Sequence, residues 1–244
     1  MSGCYNSAVD LAGAIDVEVP GAHVRFTGRD GGVSAGALAS LNLSATAGDD
    51  PGAVAENRRR AAGGRPLAAV RQIHGTRVVV VDGPPDAGAP PHEADGLATT
   101  AEDLALLVLT ADCLPVALAT PAAAAMVHAG WRGLAGGVLE DGVGALRALD
   151  PDGELQAVIG PGAGGCCYEV GDEVAARFPG WARDGRRIDL KAVATERLRD
   201  AGVARVADVG RCTMCEPDAF YSHRAGQGER GRQGGLIWRA PCPS

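Results

Sequence analysis

The sequence is short of several things, and each shortage excludes something. Aromatic residues make up 4% of the 244 residues and methionine only three, so any core is built from Val, Leu and Ala rather than from stacked rings. Basic residues (23) fall below acidic ones (30), a net charge of −7. That balance argues against nucleic acid or an anionic membrane as a partner, while leaving room for a small anion in a local basic pocket. The N-terminal segment MSGCYNSAVDLAGAIDVEV has no basic region followed by a continuous apolar one, so no secretory signal is expected and a cytoplasmic location is. The longest stretch free of Asp, Glu, Lys and Arg, Cys113 to Trp131, is interrupted by Pro115, Pro121 and His128. It reads as buried strands joined by a turn, not as a membrane span.

Cysteine numbers seven, an odd count without a signal, which favours free thiols or metal ligands over a disulfide framework. No Gly-Lys-Ser/Thr follows a Gly-rich loop, so a P-loop NTPase is excluded. The HxE and PCxxC signature of the zinc deaminases is missing. The five histidines include no HxH pair, which speaks against a four-copper oxidase.

What remains is ample for a core. Hydrophobic residues reach 46%, and a chain of this length buries about 70% of its extended surface. Glycine is abundant at 36, about twice the usual share, without a three-residue period. Apolar runs predict buried strands over 104–110, 116–120, 123–128 and 155–159, with further strands at 23–27, 67–73, 77–81, 203–209 and 236–238. Helices are expected at 52–62, 134–149, 170–178 and 190–201. Strands and helices mix without strict alternation, giving one α/β (α+β) domain over 1–244. Residues 1–22 read as a loosely packed lead-in, with an edge strand as the alternative.

Three residues stand where apolar strands give way to Gly, Asp or Pro: His74, Cys113 and His128. Two imidazoles and a thiolate form a known ligand set for a zinc ion with an open fourth position. The bland reading is a buried thiol and two capping histidines. Cys212-Thr-Met-Cys215 is a single CxxC that suits a redox pair, half a zinc site or packed thiols; it is read here as packed thiols, and vicinal Cys166-Cys167 as structural. Gly160-Pro-Gly-Ala-Gly-Gly165 matches GxGxxG, but Pro161 and the cysteines after it do not open a helix as a dinucleotide site requires. His128-Ala-Gly-Trp-Arg-Gly-Leu-Ala-Gly-Gly137 puts Arg132 and backbone amides before a helix, which suits an anion such as phosphate; the plain alternative is a Gly-rich connection with a surface Arg.

Several strings together resemble the YfiH-like family, also filed as laccase-domain or multicopper polyphenol oxidase proteins. They are SLNLS (40–44), GDDP and ENR (48–58), RQIHG (71–75), ADGLATT (94–100), TADCLPVALA (110–119), VHAGWRGLAGGV (127–138), IGPGAGGCCYEVGDEV (159–174), CTMCEPDAFYSHR (212–224) and GRQGGLIW (231–238). The resemblance implies a layered fold with β-sheets between helices, and a zinc-dependent purine nucleoside phosphorylase that also deaminates adenosine. It puts His74, Cys113 and His128 at the metal ligands. Asn42, Arg58, Ser222, His223 and Arg224 fall in matching strings as substrate-binding candidates, beside Arg132. Asp112 is either a proton carrier or an orienter of the metal site. Two departures stand out: Ala47 where relatives often carry His, and 191–197, which lacks a frequent Asn.

The implied partners are a purine nucleoside and phosphate, on a monomer, with a homo-oligomer left open. The implied cofactor is zinc, with copper as an adventitious occupant, since Cu²⁺ outcompetes Zn²⁺ at most N/S sites. Three other functions compete: a copper-dependent phenol oxidase, a cysteine hydrolase using Cys113, and a cell-wall precursor editing factor.

Overall fold

The computed structural model describes residues 11–86, 91–226 and 230–240. Of the expected lead-in 1–22, residues 1–10 lie outside that range, and the rest is strand and turn. Strand β1 (Ile15–Val19) pairs in register with β2 (Ala22–Phe26). Gly21 makes the turn at φ +81, and a Cβ there would lie 2.7 Å from the Pro121 carbonyl oxygen, so both conformation and space demand glycine. Helix α1 (Pro51–Ala61) starts where Asp50 accepts the Ala53 amide at 2.8 Å with Pro51 in the first turn, a combination the sequence advertises.

Strands β3 (Leu67–Ala69) and β4 (Val78–Val80) are shorter than the apolar pattern suggests, because the chain between them turns through His74 at φ 58. Strand β5 (Gly96–Thr99) had no sequence signal; it has four residues and opens on glycine. Strands β6 (Ala105–Thr110), β7 (Leu114–Ala119) and β8 (Ala124–Ala129) are the apolar runs, almost wholly buried. The helix expected over 134–149 is two: α2 (Trp131–Gly136) and α3 (Val138–Leu149). Gly137 breaks them apart at φ 105, a left-handed conformation that no helix interior contains.

Strand β9 (Gln156–Ile159), the one-turn helix α4 (Asp172–Ala175) and a small hairpin of β10 (Arg183–Asp184) and β11 (Arg187–Ile188) follow. Helix α5 (Leu190–Asp200) is capped by Asp189, which accepts the Ala192 amide at 2.9 Å. Strands β12 (Arg205–Asp208) and β13 (Gln233–Arg239) complete the fold.

Two mixed sheets result. One has the order β1-β2-β13-β6-β3, the other β12-β9-β7-β8-β5-β4. They pack face to face: Phe26, Leu106, Val108 and Ile237 of the first meet Ala117, Met126 and Val158 of the second. Two glycines bring the sheets close. A Cβ on Gly160 would lie 2.4 Å from the Phe26 ring, and one on Gly235 2.6 Å from Pro115. The outer face of the second sheet packs on α3 and α5 through Leu139, Val143, Leu146, Val193 and Leu198. The outer face of the first is covered by Leu41, Leu43, Ala61 and Ala62. The layers are helix, sheet, sheet, helix, with the sheets inside as the resemblance implies. Among the described residues no helix is long and apolar enough to cross a membrane.

This topology sets three segments side by side. Strands β7 and β8 are antiparallel with Leu114 opposite Ala129, so Cys113, just before β7, and His128, near the end of β8, meet at one sheet end. Strand β5 flanks β8 with Gly96 opposite Val127, which brings Asp95 to the same end.

Candidate metal centre

His74, Cys113 and His128 converge, with one ligand atom from each within 4.8 Å of the others. The Cys113 sulfur lies 3.9 Å from His74 Nε2, and the two imidazoles meet edge to face with centroids 4.8 Å apart. His128 is buried and His74 exposed, so the cluster has an inner and an outer side.

Asp95 organises it. The residue is fully buried, and its carboxylate accepts the backbone amides of Ile73 (3.2 Å), His74 (2.9 Å) and Gly75 (2.6 Å). It also lies 2.8 Å from His128 Nδ1. A carboxylate there holds the Nδ1 proton, so Nε2 is the nitrogen that gives up its proton to a metal, the arrangement that orients a metal-bound histidine. Burial works against the charge of Asp95, but the hydrogen bond and charge of His128 and the amides of Gly75 and Ile73 hold its pKa below the usual carboxylate value. The same amides pin the turn that carries His74 at φ 58, a region where His is one of the few non-glycine residues enriched.

Burial would raise the Cys113 thiol, yet the charge of His128, with hydrogen bonds from both imidazoles, brings it down to about 6. Burial would lower His128, yet the Cys113 charge and Asp95 lift it to about 9. The site thus favours a thiolate, the form that binds metal.

The glycines of α2 give this turn its room. A Cβ on Gly130 would lie 2.9 Å from the His74 ring and 3.1 Å from the Cys113 sulfur; on Gly133, 2.7 Å from the Gly75 carbonyl oxygen; on Gly136, 2.9 Å from Thr76. The spaced glycines of HAGWRGLAGG are the face on which the His74 turn rests. Gly130 has φ −72 and ψ 165, which any residue adopts. Gly130→Ala therefore leaves the backbone intact and intrudes on His74 and Cys113. The expected result is an unchanged circular dichroism spectrum with metal affinity reduced ~10-fold or more, since displacements near 1 Å at a site carry penalties of that order; a chelator competition titration measures it.

The other expected site residues divide. Asp112, at φ 85, is buried with both carboxylate oxygens engaged: one accepts the Thr213 hydroxyl at 2.7 Å, the other the Arg224 amide at 2.8 Å. Arg224 donates to the Glu169 carbonyl at 2.7 Å and lies 5.1 Å over the Tyr168 ring. Tyr168 marks a shared neighbourhood. Burial, then the Cys113 charge, raise its hydroxyl pKa, and Arg224 and Arg132 oppose them. Arg132 is exposed and stacks on Trp131 at 4.2 Å. With six residues, α2 is too short to act as an anion-binding helix start, so Arg132 alone carries that reading. His223 is exposed on the same turn as Arg224, and Ser222 is buried with its hydroxyl accepting the Ala225 amide.

Asn42 and Arg58 have internal work. Asn42 is fully buried and bonds Ser44, Asp49 and the Arg232 amide. Arg58 donates to the Leu43 carbonyl at 2.9 Å, and burial lowers its pKa. Ala47 lines a cavity of about 640 Å³ with Arg29, Leu38, Phe220, Ser222 and Arg230. None of the three metal-ligand candidates lines it, while Ser222, from the same turn as His223 and Arg224, does.

Sequence reasoning gave no role to Asp95, Gly130 or Tyr168. Asp95 stands in the family string ADGLATT, but its partnership with His128 emerges only from the β5–β8 pairing, and no apolar pattern marks β5 as a strand.

A family model described as multi-copper polyphenol oxidoreductase laccase matches residues 23–240. The purine nucleoside phosphorylase of Xylella fastidiosa is 42% identical over 244 residues, covering 90% of this chain and 93% of its own. That of Streptomyces coelicolor is 41% identical over 238 residues, covering 90% and 96%. The crystal structure of a Neisseria meningitidis protein of the DUF152 family superposes with a TM-score of 0.83 at 35% identity, covering 94% of this chain and 100% of that one. With a layered fold shared over nearly its whole length and a family match spanning all three converging ligands, the chain belongs to the multi-copper polyphenol oxidoreductase laccase family.

Proposed function

We propose that this chain is a zinc-dependent purine nucleoside phosphorylase with an accessory adenosine deaminase activity. The observation that carries the metal reading is the convergence of two imidazoles and one low-pKa thiol, with Asp95 setting the tautomer of the buried imidazole. The names of relatives near 40% identity support the reaction. His74, Cys113 and His128 would hold the zinc, which when bound supplies Lewis-acid polarisation and lowers the pKa of water to about 7.

In phosphorolysis, phosphate attacks C1′ of the nucleoside, the glycosidic bond breaks, and the base leaves with the bonding electrons. The products are the free base and ribose 1-phosphate. The transition state is oxocarbenium-like, so phosphate must be held against the sugar. Arg132 and Arg224 are the cations that share the Cys113 and Tyr168 neighbourhood, and they fit the phosphate role. With both oxygens engaged, Asp112 acts as a positioning residue that ties Thr213 and Arg224 beside Cys113, rather than as a proton carrier. Ser222 and His223 share that turn and are the closer substrate contacts. Asn42 and Arg58 brace the 42–44 segment instead, through Ser44 and the Leu43 carbonyl.

Cys113, His128 and Asp95 also line up as a cysteine hydrolase triad would. The second imidazole, His74, favours metal: a triad has no use for it, and a zinc site does. Multicopper chemistry asks for more histidine than the five in the chain.

The test uses zinc-loaded, copper-free protein with inosine and with adenosine, each with and without phosphate, and separates the products. Phosphate-dependent hypoxanthine and ribose 1-phosphate from inosine, and inosine from adenosine, are the expected results. No base release above a protein-free control would overturn the phosphorylase reading.

A further inference from the structure

The metal centre leaves a second sulfur cluster unused. Cys166 and Cys167 follow the Gly160–Gly165 loop, and Cys212 and Cys215 form the CxxC some 46 residues later. The sequence shows them as two unrelated pairs; the fold brings them together. All four sulfurs lie within 4.8 Å of one another. Cys166 is 3.7 Å from Cys212 and 3.5 Å from Cys215, and Cys167 is 3.1 Å from Cys215. None is disulfide-bonded. A zinc–thiolate bond of about 2.3 Å sets sulfur–sulfur edges of about 3.8 Å in a tetrahedron, close to the spacing present.

The surroundings favour a thiolate at Cys212. The Gly164 amide donates to the Cys212 sulfur at 3.3 Å, the kind of hydrogen bond that steadies a metal-bound sulfur. A Cβ on Gly164 would lie 3.1 Å from the Cys166 sulfur and 3.4 Å from that of Cys212, so glycine leaves the space the sulfurs share. The backbone draws the two loops together through a bridge of Gly162 with Cys212 and the Thr213 amide on the Gly162 carbonyl.

We propose that Cys166, Cys167, Cys212 and Cys215 bind a second zinc ion in a closed tetrathiolate site with a structural role. Four protein ligands leave no open position, unlike the His74–Cys113–His128 centre. Its place explains its purpose. The two loops it joins also hold Asp112: Ala163 donates to the Asp112 carbonyl at 2.8 Å and Thr213 to its carboxylate at 2.7 Å. Clipping them together fixes the wall next to Cys113. Binding displaces thiol protons and ties loops distant in sequence, so the ion contributes directly to the stability of the folded chain.

The test counts metal in protein purified under reducing conditions from zinc-replete cells. Parent protein is expected to hold two zinc ions per chain. The His74→Ala/Cys113→Ala variant is expected to keep one, and Cys166→Ser/Cys215→Ser to lose one. Should the serine variant fail to fold, the His74→Ala/Cys113→Ala protein loaded with Co²⁺ decides alone. It should show the intense sulfur-to-cobalt charge transfer of a tetrathiolate site, erased by a mercurial thiol reagent with release of one metal equivalent. A His74→Ala/Cys113→Ala protein that binds no metal, four cysteines found as disulfides in native protein, or iron in place of zinc would each overturn the proposal. The count does not depend on nucleoside turnover, so its failure and that of the proposed reaction are separately visible.

Discussion

Replacing Cys113 by alanine is expected to empty the His74–Cys113–His128 centre and reduce phosphorolysis ~10³-fold or more. The sulfur is the anionic ligand of the three, and His128 is buried behind it. Two imidazoles alone make a poor zinc site at an open sheet end. Loss of a metal's transition-state stabilisation removes several kcal/mol, and each ~1.4 kcal/mol is tenfold in rate. The Cys113 thiolate and the His128 imidazolium favour each other between about pH 6 and 9, so at neutral pH the metal-free variant should melt somewhat below the metal-free parent but still fold. Steady-state kinetics with inosine and phosphate, together with metal analysis, check both halves. A variant that keeps its turnover would show that this centre does not carry the reaction.

The second large effect is expected at Asp95. Its carboxylate satisfies three backbone amides and one imidazole N–H in a fully buried position. Asp95→Asn removes the charge and turns an amide NH₂ towards donors, leaving buried N–H groups unpaired at roughly 1–3 kcal/mol each. A loss of about 3 kcal/mol is expected, which in a chain of this size is a fall of about 10 °C in melting temperature. Measured on metal-free protein, the shift reports the turn and not the ion. Metal affinity should fall as well, by ~10–100-fold, because the His128 tautomer is no longer enforced. Asp95→Asn with parental stability and parental zinc affinity would show that Asp95 does neither job.

The fold was most legible where both faces of a strand are buried. LALLVLT, VALAT and AAAMVH read as strands because no polar face interrupts them, and β6, β7 and β8 overlap these three runs. The helix capped by Asp50 and Pro51 was equally plain. The single helix expected over 134–149 missed its break because Gly136 and Gly137 look alike in a helical period, while only Gly137 is left-handed. Strand β5 was silent because four residues led by glycine carry no pattern.

The candidate ligands His74, Cys113 and His128, which the fold brings together, were legible as strand-end residues and through the family resemblance. The role of Asp95 was not, since it depends on β5 lying beside β8. The four cysteines were visible as two pairs, and only the packing of the 162–168 loop on the 211–216 turn makes them one cluster. Asn42 shows the converse. It sits in a family string, yet the fold spends its amide on Ser44, Asp49 and Arg232.

The most direct test of the central claim is anomalous diffraction on both sides of the zinc absorption edge, from crystals of copper-free protein shown to phosphorolyse inosine. A zinc peak within bonding distance of His74 Nε2, Cys113 Sγ and His128 Nε2 is the predicted result. Active protein whose crystals show no zinc among those three atoms would contradict it.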